Sequence, residues 1–148
     1  MKYSAEESDS ARPTPRETSQ PTPDRPVGGT ILVVDDEPMV VRAAAQILSR
    51  AGFTVITADG PLDAEARFEA APGPIRLLLT DMVMPDGGGR RLAERLVARS
   101  PSLRVLFMSG FTEHDSVRDE RALPAPLITK PFSASKLGAA VSDVLAEL

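Results

Sequence analysis

The chain has 148 residues, 42% of them hydrophobic and 26% charged, which fits one soluble domain with a tail. A net charge of −4 argues against a nucleic-acid binder built on a basic face, and the lack of cysteine excludes disulfides, Cys-ligated zinc, iron–sulfur clusters and thiol catalysis. One histidine, His114, excludes multi-histidine metal sites and leaves little room for a Ser-His-Asp triad. No apolar run nears the roughly 20 residues of a membrane span, and the polar, acidic start Met1 to Ser10 is no secretory signal, so a cytoplasmic protein with no membrane partner is expected.

In chain order, residues 1–29 come first. They hold five of the fourteen prolines and, from the Val/Ile/Leu/Phe/Tyr set, only Tyr3 and Val27. Too little apolar surface is available to offset ordering entropy, so the segment reads as a disordered tail or linker. The Thr-Pro steps at Thr14 and Thr22 make a docking motif the other reading. Thr30 to Val34 is a continuous apolar run with β-branched residues, the pattern of a strand buried on both faces. Pro38 opens a helix with an apolar stripe of Val41, Ala44, Ala45, Leu48 and Ala51, and Gly52 ends it. Phe53 to Ala58 is a second strand, Leu62 to Ala70 a second helix and Ile75 to Thr80 a third strand. A Gly/Pro-rich loop over 82–89 leads to a helix over Arg90 to Arg99, with Leu92, Leu96 and Val97 inward. Leu103 to Met108 is a fourth strand, residues 112–121 a short helix with a thin apolar stripe, and Leu127 to Thr129 a short fifth strand. The last helix runs from Ala134 to Leu148, with Leu137, Val141, Val144, Leu145 and Leu148 at helical spacing.

Strand–helix alternation of this kind calls for parallel pairing with right-handed crossovers, hence an α/β doubly wound sheet with helices on both faces. Such sheets place their sites at the carboxyl ends of the strands. There the sequence offers Asp35, Asp36 and Glu37 after the first strand, Asp81 after the third, Ser109 and Gly110 after the fourth, and Lys130 and Pro131 after the fifth. Lys130 is one of only three lysines among many arginines. Carboxylates gathered this closely repel one another unless a cation intervenes, and a hard divalent ion, Mg²⁺ best of all, suits oxygen donors. A carboxylate beside Mg²⁺ is equipped to attack phosphorus, with Mg²⁺ and Lys130 neutralising charge and Ser109 donating a hydrogen bond.

The ordered set Val33-Val34-Asp35-Asp36-Glu37-Pro38, Leu79-Thr80-Asp81-Met82-Val83-Met84-Pro85, Met108-Ser109-Gly110 and Thr129-Lys130-Pro131-Phe132 resembles the receiver domain of two-component response regulators. It covers residues 30–148, the domain that follows the tail. Gly28-Gly29-Thr30 and Met108-Ser109-Gly110-Phe111-Thr112 are most similar to stand-alone receivers or those working with hybrid sensor histidine kinases. The resemblance implies a five-stranded sheet in the order 2-1-3-4-5. It implies that Asp81 accepts the phosphoryl group, and that Asp35, Asp36, Asp81 and the Val83 backbone carbonyl hold Mg²⁺. It implies that Ser109 turns toward the phosphoryl group, that Lys130 pairs with its oxygens, that the Lys130-Pro131 bond is cis, and that Gly89 closes the loop after Asp81. Two departures stand out: Leu127 where an aromatic residue often reports the switch, and Pro124 and Pro126 close behind the weak helix.

Each motif alone has a plainer reading. Asp35-Asp36 suits a solvated turn and Asp81 a cap or turn; their conjunction with Lys130 at matching strand ends favours chemistry. His114 reads as an exposed loop residue, and Gly87-Gly88-Gly89 as a flexible turn, since no Lys-Ser/Thr follows as in a phosphate-binding loop. Met82, Met84 and Met108 read as packing near the site, and Arg90-Arg91 as a solvated face. The function expected is that of a non-enzymatic phosphoacceptor: it takes a phosphoryl group from a histidine kinase or phosphotransfer protein and signals through protein contacts or onward transfer. The sequence ends directly after the last helix, so no DNA-binding or enzymatic output domain is expected. The alternatives are a receiver-like scaffold that is never phosphorylated and a Mg²⁺-dependent aspartyl phosphatase, which usually carries a second aspartate where Val83 stands. A flavin-binding protein is more distant, because acids rather than a phosphate-binding loop follow the first strand.

Overall fold

Short apolar runs become strands here because both faces of the sheet are covered. The computed structural model describes residues 29–84, 88–110 and 125–146. Along them run β1 (Thr30–Val34), α1 (Pro38–Arg50), β2 (Thr54–Ala58), α2 (Pro61–Ala70), β3 (Ile75–Asp81), α3 (Gly88–Arg99), β4 (Arg104–Ser109), β5 (Leu127–Thr129) and α4 (Ala134–Ala146). The strands pair in parallel in the order β2-β1-β3-β4-β5, as the resemblance implies. The tail over 1–28, the helix expected at 112–121, His114, Gly87 and Leu148 lie outside the described residues.

The side-chain period of two splits each run between two cores. Ile31 and Val33 pack with Leu77, Leu79, Leu106 and Met108 against Ala44 and Leu48 of α1 and Leu137, Val141 and Val144 of α4. Leu32 and Val34 pack with Leu78, Val105 and Phe107 against Ala64 of α2 and Leu92, Ala93 and Leu96 of α3. Ala93 was not among the expected inward residues, while Val97 is only half-buried. The methionines divide as well: Met82 and Met84 pack on the α2–α3 side and Met108 on the other, so they form no common cluster.

Local signals explain most boundaries. Pro38 and Pro61 occupy the first turns of α1 and α2. Gly52, at φ +102°, ends α1 in a Schellman arrangement: its amide donates to the Ser49 carbonyl and the Phe53 amide to the Leu48 carbonyl. The structure shifts several edges. The second strand starts at Thr54, because Phe53 is occupied in closing α1. The third and fourth extend through Asp81 and Ser109, so both polar residues sit within the ladder rather than beyond it. The third helix starts at Gly88, two residues before Arg90. In β3 the register slips at Arg76: Thr30 faces Ile75 while Ile31 faces Leu77.

The connection leaves β1 for β2 on one side and then crosses back to β3 on the other. The carboxyl ends of β1 and β3 therefore flank the switch point where open α/β sheets form their crevice.

Candidate functional site at the strand ends

The ends of β1 and β3 are neighbours, so Asp35, Asp36 and Asp81 meet although 45 residues separate the first from the last. One oxygen from each of the three lies within 4.8 Å of the others. Asp35 and Asp81 are buried, at 0% and 2% exposure, and Asp36 is exposed at the rim. The Asp35 amide donates to the Ala58 carbonyl of β2, which fixes the backbone as it leaves the sheet.

Lys130 enters from across the edge. Its Nζ lies 3.1 Å from Asp35 Oδ2, 3.5 Å from Asp81 Oδ1 and 3.5 Å from Glu37 Oε1. The Glu37 amide donates to Asp35 Oδ1 at 2.9 Å. Burial pushes the Asp35 carboxyl above its usual range; the Glu37 amide and the Lys130 ammonium pull it back, and the neighbouring Asp36 adds to the rise. Among the described residues one ammonium thus serves a group of acids larger than itself, and a cation is the species such a group favours. A small divalent ion with oxygen ligands near 2 Å spans about 4 Å between opposite donors, the scale of this cluster. The carboxylate-only donor set fits such a hard ion and not a soft one.

Backbone bonds lock the edge. The Met82 amide donates to the Met108 carbonyl at 2.9 Å, and the Lys130 amide to the Ser109 carbonyl at 2.7 Å. Ser109 is fully buried at the end of β4, its hydroxyl donating to the Gly110 carbonyl at 3.1 Å. The Lys130-Pro131 peptide is cis, as the resemblance implies. Val83 follows the strand and is half-exposed, with its neighbour Met84 turned into the core.

Asp81 is held through its own main chain. The Thr80 hydroxyl donates to the Asp81 carbonyl at 3.1 Å. Gly89 packs on that same carbonyl: a Cβ there would overlap the Asp81 carbonyl and come within 3.0 Å of Thr80 Oγ1. The Gly89 amide meanwhile donates to the Met82 carbonyl. The structure therefore brings Asp35, Asp36, Asp81 and Lys130 together, with Ser109 and Val83 on the same edge. Two participants had no assigned part in the sequence reading. Thr80 gives no signal, being one more polar residue beside an acid. Glu37 was visible only as a third acid in a run.

A 2-1-3-4-5 doubly wound sheet with acids at its switch point and a lysine facing them defines the class of receiver-like α/β domains. The model of the response regulator receiver domain family matches residues 31–142, and the chain belongs to that family, the receivers of two-component systems. The chain is 31% identical over 120 residues to the sensor kinase CckA of Brucella abortus (strain 2308), covering 78% of this chain and 12% of the kinase. It is 33% identical over 102 residues to the response regulator receiver protein CpdR of the same organism, covering 65% of this chain and 83% of that protein. The crystal structure of the receiver domain from the hybrid histidine kinase CckA superposes with a TM-score of 0.66 at 27% identity, covering 79% of this chain and 99% of that one. A CheY-like receiver from Methanospirillum hungatei JF-1 gives 0.69, also at 27% identity, covering 80% and 94%. Among the described residues no helix is long and apolar enough to cross a membrane.

Proposed function

We propose that Asp81 accepts a phosphoryl group from a phosphohistidine on a sensor kinase or phosphotransfer protein. The observation that carries this is the contact of Lys130 with both Asp35 and Asp81 at the crevice where the acids converge. An Asp81 carboxylate oxygen attacks phosphorus in line, the bond from phosphorus to the donor imidazole nitrogen breaks, and the imidazole leaves with a proton from solvent. Asp35, Asp36, Asp81 and the Val83 carbonyl would hold Mg²⁺, which neutralises charge on the phosphoryl oxygens. Lys130 then turns from carboxylate to phosphoryl oxygen, and the Ser109 hydroxyl exchanges the Gly110 carbonyl for the same group. Thr80 and Gly89 keep the Asp81 backbone from following its side chain. The domain itself is not an enzyme. Its output runs through protein contacts or onward transfer to another histidine.

Intact mass after incubation with Mg²⁺ and acetyl phosphate tests this. Wild type is expected to gain one phosphoryl group, labile to hydroxylamine and absent without Mg²⁺ or in Asp81→Asn. No adduct, either from acetyl phosphate or from a phosphorylated histidine kinase, would leave the unphosphorylated scaffold as the better account.

A further inference from the structure

Glu37 stands at the N-cap of α1, where a short polar side chain ordinarily folds back onto the first-turn amides. Its side chain makes no such bond. Its carboxylate instead lies 3.5 Å from Lys130 Nζ, across a sequence separation of 93 residues. Only its backbone amide serves Asp35, so the side chain is dispensable for that bond. Among the described residues, the three carboxylates around Lys130 are not equivalent. Asp35 and Asp81 are buried, whereas the Glu37 side chain is 65% exposed.

We propose that Glu37 is a positioning residue that draws Lys130 toward the rim and thereby slows phosphorylation of Asp81. This rests on Asp81 being the phosphoacceptor. An ammonium shared with an outer carboxylate is less available to the inner phosphoryl oxygens, since its three N–H donors are divided among more acceptors. An exposed ion pair is weak, and its usual strength converts to a change of about two- to fivefold in rate. A second route to the same direction exists: the Glu37 charge could simply repel an anionic donor. Chain length separates the two. Glu37→Asp keeps the charge in the loop but lacks the reach to Lys130, whereas Glu37→Gln loses the charge itself.

The experiment has two readouts on the full chain. The first is the carbon spectrum of lysine labelled at Cε, which is simple to assign because the lysines are Lys2, Lys130 and Lys136. The second is the rate of phosphorylation by acetyl phosphate at saturating Mg²⁺. The Lys130 resonance is expected to move in both variants, and both are expected to be phosphorylated about two- to fivefold faster than wild type. An unmoved Lys130 resonance, or a rate at or below wild type in either variant, overturns the proposal. Glu37→Asp matching wild type while Glu37→Gln gains speed assigns the effect to repulsion instead. A wild type that takes up no phosphoryl group, either from acetyl phosphate or from a phosphorylated histidine kinase, while the resonance moves as expected overturns the Asp81 reading and the rate claim with it. That pattern differs from a failed Glu37 contact.

Discussion

A Cβ on Gly89 has nowhere to go, because the Asp81 carbonyl already occupies the space. Gly89→Ala must therefore push the start of α3 off the strand end. We expect a loss of about 1–3 kcal/mol, read as a lower urea midpoint at unchanged slope, together with slower phosphorylation. The triple-glycine run reads from sequence as a turn, and only the resemblance marks its last member. The acids and Lys130 were legible because strand ends are where such sheets place chemistry. Glu37 and Thr80 were not. Their partners are set by side-chain direction at the edge, which no local pattern encodes: the Thr80 hydroxyl could have met solvent, and the Glu37 carboxylate its own helix.

At the scale of elements, strands announced themselves as apolar runs bounded by turn residues, and the two cores follow from the period of two. Leu79→Ala in β3 removes a fully buried side chain and is expected to cost about 2–5 kcal/mol in chemical denaturation. Leu62→Ala at the start of α2, where the side chain is 72% exposed, is expected to cost under about 0.5 kcal/mol. The start of α3 was hidden because Gly88 and Gly89 are poor helix formers, and the close approach to Asp81 overrides propensity there. Also hidden was a ladder of ion pairs between α2 and α3. Arg95 meets Glu65 at 2.7 Å, and Arg99 meets Glu65 and Glu69 at 3.1 and 2.6 Å. Each is visible in sequence only as surface charge. Glu65→Gln, which weakens two of these bonds, is expected to lower stability by under about 1 kcal/mol at low salt, with the difference fading in 1 M salt.

For the whole molecule, alternation of strands and helices gave the doubly wound class, whereas the 2-1-3-4-5 order came from the resemblance. Periodicity carries no information on which strands are neighbours. The site exists only when β1, β3, β4 and β5 are assembled, so a ligand of the acids is a ligand of the folded state. Magnesium at a hundred times its Kd is expected to stabilise the fold by about 2.7 kcal/mol, seen as a raised unfolding temperature, with a smaller gain in Asp36→Asn. The two bonds across the carboxyl edge, Met82 amide to Met108 carbonyl and Lys130 amide to Ser109 carbonyl, carry a further consequence. Both donors lie one residue past the end of their strand, where chain ends ordinarily fray. Because each is tied into β4, their amide hydrogens are expected to exchange with deuterated solvent on the slow clock of the sheet. On the proposed function, the residues that respond to a phosphoryl group are thus expected to be mounted on a slowly opening part of the sheet. Through the Lys130 amide to Ser109 carbonyl bond, a displacement at Ser109 is expected to reach the Lys130 main chain as the shift of a shared rung.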